Sequence, residues 1–220
     1  MICIFSWLIS SKVGYFRKKG NDDMILYYRT VTFLPKIKNN EALVGHCLKV
    51  LHGVCTKYTI NTIGVSFPEW GKETIGDKIS FISPNQLELD FLLQQTYFSE
   101  MTGLGYFNIS DSTPAPEQCN RAVFRRNQKL DQATPNGQRI RAERLAKRAM
   151  NRGDSPIRFI PNDLVFEHYH SIPITSTRSG KSFRLNLQYQ QLDTVPDGQW
   201  AFSSYGLANQ ELKSGPVPVI

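Results

Sequence analysis

Between Glu41 and Tyr58 apolar side chains recur at helical spacing. Val44, Cys47, Leu48, Leu51, Val54, Cys55 and Tyr58 fall within roughly 120° of one another on a helical wheel. A helix with such a stripe must bury it against another element, and the flanking sequence supplies a sheet. Ile25–Phe33 is β-branched and aromatic, as strands are. Ile63–Phe67 and Lys78–Ser83 read as short strands around a turn-rich segment. Asn85–Gln95 reads as a second helix with Asn85 at its N-cap, and Leu104–Ile109 as a fourth strand. The order β-α-β-β-α-β is that of the ferredoxin-like split unit.

The expected fold class is therefore α+β: a ferredoxin-like domain over residues 24–112, followed by a smaller domain over 117–220. Asp111–Pro116 (DSTPAP) is the linker between them. A chain of 220 residues, 40% hydrophobic and 20% charged, is long enough to bury a core in both. Residues 1–23 stand apart. Their apolar start (MICIFSWLIS) precedes its basic residues Arg17, Lys18 and Lys19, the reverse of a secretory signal. They read as an appended, dispensable leader before a start at Met24. No apolar run approaches the ~18 residues of a membrane span. Cys3, Cys47, Cys55 and Cys119 form no CxxC pair, which excludes a zinc ribbon and a thioredoxin motif and fits a reduced, cytoplasmic setting.

The net charge of +7 gains meaning from its location. Residues 121–160 hold eleven Lys and Arg against three acids, whereas residues 61–120 hold two lysines against eight acids. Such segregation suits one surface for a polyanion; charge alone also suits a solvated helix. The basic block centres on a helix at Gln138–Arg152. There Arg141, Arg144, Arg148 and Arg152 line one stripe, while Ala142, Leu145, Ala146, Ala149 and Met150 line another that can pack on the protein. Ile172–Thr175, Ser182–Gln190 and Trp200–Tyr205 read as the strands of a second small sheet.

Several apparent motifs carry little. Arg178-Ser179-Gly180-Lys181-Ser182 imitates the end of a P-loop, but Thr175 stands where its first glycine belongs. Gly103-Leu104-Gly105 lacks the third glycine of a dinucleotide fingerprint. His168 and His170 alternate and would share one side of a strand, with no matching ligand nearby. His46 lies on the polar face of the first helix. His52 lies at the border of the apolar stripe, where an imidazole is partly desolvated yet reachable, as a general base must be. A satisfied core-edge histidine has the same pattern.

Six motifs in order then resemble one family over Met24–Ile220. They are Val50-Leu51-His52, Ile63-Gly64-Val65-Ser66-Phe67-Pro68, Phe124-Arg125-Arg126-Asn127-Gln128, Glu143-Arg144-Leu145, Ser182-Phe183-Arg184-Leu185 and Phe202-Ser203-Ser204-Tyr205-Gly206-Leu207, before a Pro-Val-Pro tail. The chain resembles the repeat-cleaving endoribonucleases of type I-F CRISPR systems, the Csy-four or Cas-six-f family, and within it the branch encoded in CRISPR-associated transposons. The resemblance implies metal-independent cleavage of the CRISPR precursor RNA at the base of a repeat hairpin, with no cofactor. It implies His52 as the base that takes the 2′-hydroxyl proton, Ser176 as the holder of that hydroxyl, and Tyr205 as the residue orienting the histidine.

For RNA binding it implies Arg126 and Gln128 as readers of a guanine and an adenine, pairings that suit their chemistry, with Arg125 alongside. Arg144, Lys147, Arg148 and Arg152 would lie in the hairpin's major groove, Arg141 on the same stripe is a further RNA-binding candidate, and Phe183 would stack beneath the last base pair. Arg178 stands where the family has a second serine, and Asn151 and Gly153 replace basic residues of the helix. The implied partners are the repeat hairpin, the backbone subunits of a surveillance complex and the transposition adaptor TniQ, and no membrane. The competing readings are a hairpin binder whose cleavage is weak or lost, and a generic RNA-recognition domain.

Overall fold

Asn39 opens the expected first helix: its side-chain carbonyl accepts the Ala42 N–H at 2.8 Å. The helix, α1 (Asn40–Tyr58), buries Val44, Gly45, Cys47, Leu48, Leu51, Val54 and Cys55. The computed structural model describes residues 24–155, 168–176, 180–192 and 199–220. The expected leader and Arg178 lie outside the described residues.

The first sheet is built from β1 (Tyr27–Phe33), β2 (Gly64–Ser66), β3 (Lys78–Ser83) and β4 (Phe107–Ile109). Its order is β2-β3-β1-β4 and every pairing is antiparallel. That is the arrangement of a split β-α-β unit, with α1 crossing from β1 to β2 and a second crossing from β3 to β4. The second crossing is longer than the sequence suggests. After α2 (Gln86–Leu93), capped by Asn85, comes α3 (Thr96–Gly103), held by the fully buried Phe98. The fourth strand consequently begins at Phe107 rather than Leu104. Within the expected linker, Thr113–Pro114 forms β5, which extends the sheet by pairing with Tyr27 and Tyr28 of β1.

The second sheet has the order β7-β8-β6-β9, again antiparallel. Its members are β6 (Arg121–Arg126), β7 (His170–Thr175), β8 (Ser182–Leu192) and β9 (Val217–Pro218). The expected strand at Trp200–Tyr205 does not form. Ser203 N–H donates to the Leu207 carbonyl and Gly206 N–H to the Ser203 carbonyl, so the chain turns there, with Gly206 at φ 70°.

The two sheets share one core. α1 packs against β7 so closely that a Cβ on Gly45 would come 2.2 Å from the Pro173 carbonyl oxygen. Phe67, just after β2, meets Phe124 of β6 edge-on at 5.2 Å. The α+β fold thus seats α1 where residues of both sheets can reach its border.

Between β6 and β7 stand α4 (Gln128–Ala133) and α5 (Pro135–Arg152), the latter capped by Thr134 and ended by Gly153 at φ 76°. Ala149 is buried, but Leu145 is 41% exposed and Met150 71%. The second stripe of α5 therefore does not pack as expected: its seat on the protein is Ala149, with Ala142 and Ala146 half-buried.

Candidate functional site

His52 leaves the last third of α1 on the border of its buried stripe, half-buried. Its neighbour Leu51 is fully buried and fixes the rotation of the helix at that point. The turn at residues 203–207 docks onto this border. Gly206 is its contact point: a Cβ there would lie 2.7 Å from Val65 Cγ1 and 2.9 Å from Leu51 Cδ2. Val65 N–H also donates to the Gly206 carbonyl at 3.0 Å, tying the turn to β2.

The docked turn holds the imidazole in two ways. Tyr205 lies face to face with it, ring centroids 4.3 Å apart and planes 4° apart. Ser204 Oγ sits 2.8 Å from His52 Nδ1. Among the described residues nothing bonds Nε2, so that nitrogen is left to face an incoming group. Burial pushes the His52 pKa below its ordinary value, which favours the neutral, proton-accepting ring at neutral pH. Burial also raises the Tyr205 phenol, against a smaller opposing effect of the Arg126 charge. Tyr205 thus serves as a neutral ring beside the base.

Arg126, at the exposed end of β6, links this pair to a second group. Its guanidinium lies 6.0 Å from the centre of the Phe183 ring on β8. The next residue, Asn127, is fixed on three sides. Its N–H donates to the Asn186 carbonyl, its side-chain amide donates to the buried Gln188, and its Oδ1 caps Lys129 N–H. Arg126 and Gln128 therefore project from either side of an anchored residue, Gln128 as the exposed first residue of α4. Arg125 is half-buried and bridges to Ala208, just beyond the turn.

Ser176 ends β7's side of a tight connection to β8: its N–H donates to the Lys181 carbonyl and its carbonyl accepts from Gly180 N–H, both at 2.9 Å. It does not hydrogen-bond to His52. Arg141, Arg144, Lys147, Arg148 and Arg152 are all exposed on α5. Arg152 pairs with Asp154 at 2.9 Å, and Arg139 with Glu143 at 2.6 Å, so two cations of the helix carry carboxylate partners. Among the described residues Arg144, Lys147 and Arg148 have none.

The histidines away from this site have other work. His168 and His170 do face one side, where both ring Nε2 atoms approach the Gly71 carbonyl, at 3.0 and 2.8 Å. No group of three ligating side chains that could hold a metal occurs among the described residues. No helix among them is long and apolar enough to cross a membrane. The residue that sequence reasoning passes over is Ser204, which lay inside a quoted motif but carried no local sign of a partner 152 positions away.

What the arrangement can do is accept a proton at a held nitrogen, with the Arg126 charge near enough to act on the Tyr205 ring stacked against it. The family model described as CRISPR-associated protein (Cas_Csy4) matches residues 28–219 of the chain. No curated protein matches it.

Proposed function

Because the chain belongs to the Cas_Csy4 family of CRISPR-associated proteins, a family of CRISPR repeat RNA processing and binding, we propose that it cuts the precursor RNA at the base of the repeat hairpin without a metal. The observation that carries this reading is the held imidazole: His52 between Ser204 and Tyr205, its Nε2 without a partner among the described residues. In the proposed reaction Nε2 takes the proton of the 2′-hydroxyl next to the scissile phosphate. The 2′-oxygen then attacks phosphorus, the bond from phosphorus to the 5′-oxygen breaks, and that oxygen leaves as a hydroxyl after taking up a proton. The products are a 2′,3′-cyclic phosphate and a 5′-hydroxyl. The need for a 2′-hydroxyl restricts the substrate to RNA. Ser176 is the proposed holder of that hydroxyl, with the Arg178 charge on the phosphate.

Recognition follows the basic surface. Arg126 and Gln128 would read a guanine and an adenine at the stem base, and Phe183 would stack under the last pair. Arg125 and the cations of α5 would contact the hairpin backbone. The product hairpin stays bound, in a cytoplasmic surveillance complex. On the resemblance, backbone subunits and the adaptor TniQ join it there.

The test is a repeat hairpin RNA incubated in EDTA with the parent chain and with His52→Ala. A positioned base contributes about 10²–10⁴ in rate. The variant should bind as the parent does and cut slower by that factor, and a 2′-deoxy substitution at the cut should stop the parent. Equal cleavage by His52→Ala would refute the assignment. A parent that binds tightly and never cuts would favour the pure hairpin binder.

A further inference from the structure

The ring stack on Tyr205 leaves one question of geometry open, and Ser204 answers it. A half-turn of the imidazole about its Cβ–Cγ bond keeps the ring in the same plane. It exchanges Nδ1 with Cδ2, and Nε2 with Cε1. A face-to-face stack at 4.3 Å and 4° is nearly indifferent to that exchange. The Ser204 bond is not, since only Nδ1 can meet the hydroxyl at 2.8 Å. Tyr205 therefore sets the plane, and Ser204 sets which edge faces outward.

The hydroxyl can also choose the tautomer. A serine oxygen both donates and accepts. If it accepts from Nδ1–H, Nε2 keeps its lone pair and can act as a base; if it donates to Nδ1, Nε2 carries the hydrogen and cannot. Among the described residues His52 is the only partner of Ser204 Oγ and no other donor competes for its lone pairs. Leu207 N–H donates to the neighbouring hydroxyl of Ser203 instead, which leaves the turn's own support off Ser204. When Nε2 has taken a proton, the same bond becomes charge-assisted and strengthens. The interaction is thus stronger after proton transfer than before it, the condition for speeding the step.

We infer that Ser204 is a positioning residue: its oxygen accepts the Nδ1–H of His52, selecting the ring orientation and tautomer that present a basic Nε2. This rests on the general-base reading of His52.

The test uses the full chain and Ser204→Ala, with Ser204→Thr as the conservative variant. In the RNA-free protein at pH 8, the nitrogen NMR shifts of the His52 ring report the tautomer whether or not the chain cuts RNA. The parent should show the hydrogen on Nδ1, and Ser204→Ala should lose that fixed assignment. In single-turnover cleavage of a repeat hairpin, Ser204→Ala should be slower by about 10–100-fold, the range for losing a hydrogen bond to a charged group. The midpoint of its rate-against-pH curve should fall, because the imidazolium loses an acceptor, while hairpin affinity stays as in the parent. Ser204→Thr should recover rate and midpoint together. A parent spectrum with the hydrogen on Nε2 overturns the inference, as does an alanine variant with the parental rate and midpoint. Equal cleavage by His52→Ala would instead sink the general-base reading, and the nitrogen spectrum would still decide the role of Ser204.

Discussion

Replacing Gly206 by alanine tests how the site is assembled without touching any of its functional side chains. Two costs arise. At φ 70° a residue with a Cβ loses about 1–2 kcal/mol relative to its preferred backbone regions. The new methyl would also lie 2.7 Å from Val65 Cγ1, 2.9 Å from Leu51 Cδ2 and 3.2 Å from the Ile63 carbonyl oxygen. Overpacking of that kind costs about 1–3 kcal/mol if the core must absorb it. The turn has an escape of comparable cost. Tilting away from α1 while keeping the Val65 N–H bond to the Gly206 carbonyl forfeits the Ser204 bond, about 0.5–1.5 kcal/mol, and the aromatic stack, of similar size. Since that sum matches the overpacking it relieves, the turn should shift and the imidazole should lose both restraints. Gly105 provides the control: it also has a positive φ, 73°, but nothing lies within 4 Å of the position its Cβ would take. Gly105→Ala should therefore show the backbone cost alone. Denaturant unfolding should give losses of about 2–5 kcal/mol for Gly206→Ala and about 1–2 for Gly105→Ala. Single-turnover cleavage should slow at least tenfold in the first and hold in the second, with hairpin affinity kept in both. Equal stability losses and equal cleavage in the two variants would refute the reasoning.

Acidity should affect rate and stability in the same direction. The folded chain holds His52 below its ordinary pKa by burial, and His170 likewise, so folding favours their neutral forms. Their contribution is complete above the unfolded value of about 6.5 and is lost as pH falls through the lower folded values. Denaturant midpoints should therefore drop on acidification below about pH 6.5, and cleavage should be flat from pH 7 to 8 and decline below a midpoint under 6.5; a midpoint above 6.5 would contradict the burial argument. Replacing Arg144 and Arg148 with alanine should weaken hairpin binding. It should also flatten the salt dependence by up to roughly 0.7–0.9 per lost phosphate contact. An unchanged slope in a salt titration would return α5 to a solvated surface helix.

The parts of the fold that were legible are those whose pattern comes from burial on one face. Lys78–Ser83 forms a strand with the expected limits, and α1 buries the expected stripe from Val44 to Cys55, with Tyr58 partly buried at its end. What escaped reading was decided by distant contacts. Arg121–Arg126 buries only Ala122 and Phe124, and its four-residue complement of arginine and valine hides that alternation. Trp200–Tyr205 has the aromatic content of a strand, yet Gly206 turns the chain back at once. Leu145 and Met150 look like a packing stripe, but alanines make the seat of α5. At the site, the border position of His52 could be read from helical spacing alone. Its partner could not, because no local pattern distinguishes Ser204 from Ser203.

The bond between His52 and Ser204 spans 152 positions of chain. A ribosome adding about 5–20 residues per second makes the histidine roughly 8–30 s before the serine. For that interval a nascent chain has His52 but neither the Ser204 hydroxyl nor the Tyr205 ring that hold it. Closing so long a loop also counts against rapid folding, since its entropy is lost before the contact returns anything. The held imidazole thus arrives late in the life of each molecule, when residues 203–207 have been made and the second sheet has closed over α1. A chain cut short of residue 204 would contain His52 and the arginines of α5 but not the hydroxyl and ring that hold the imidazole in place.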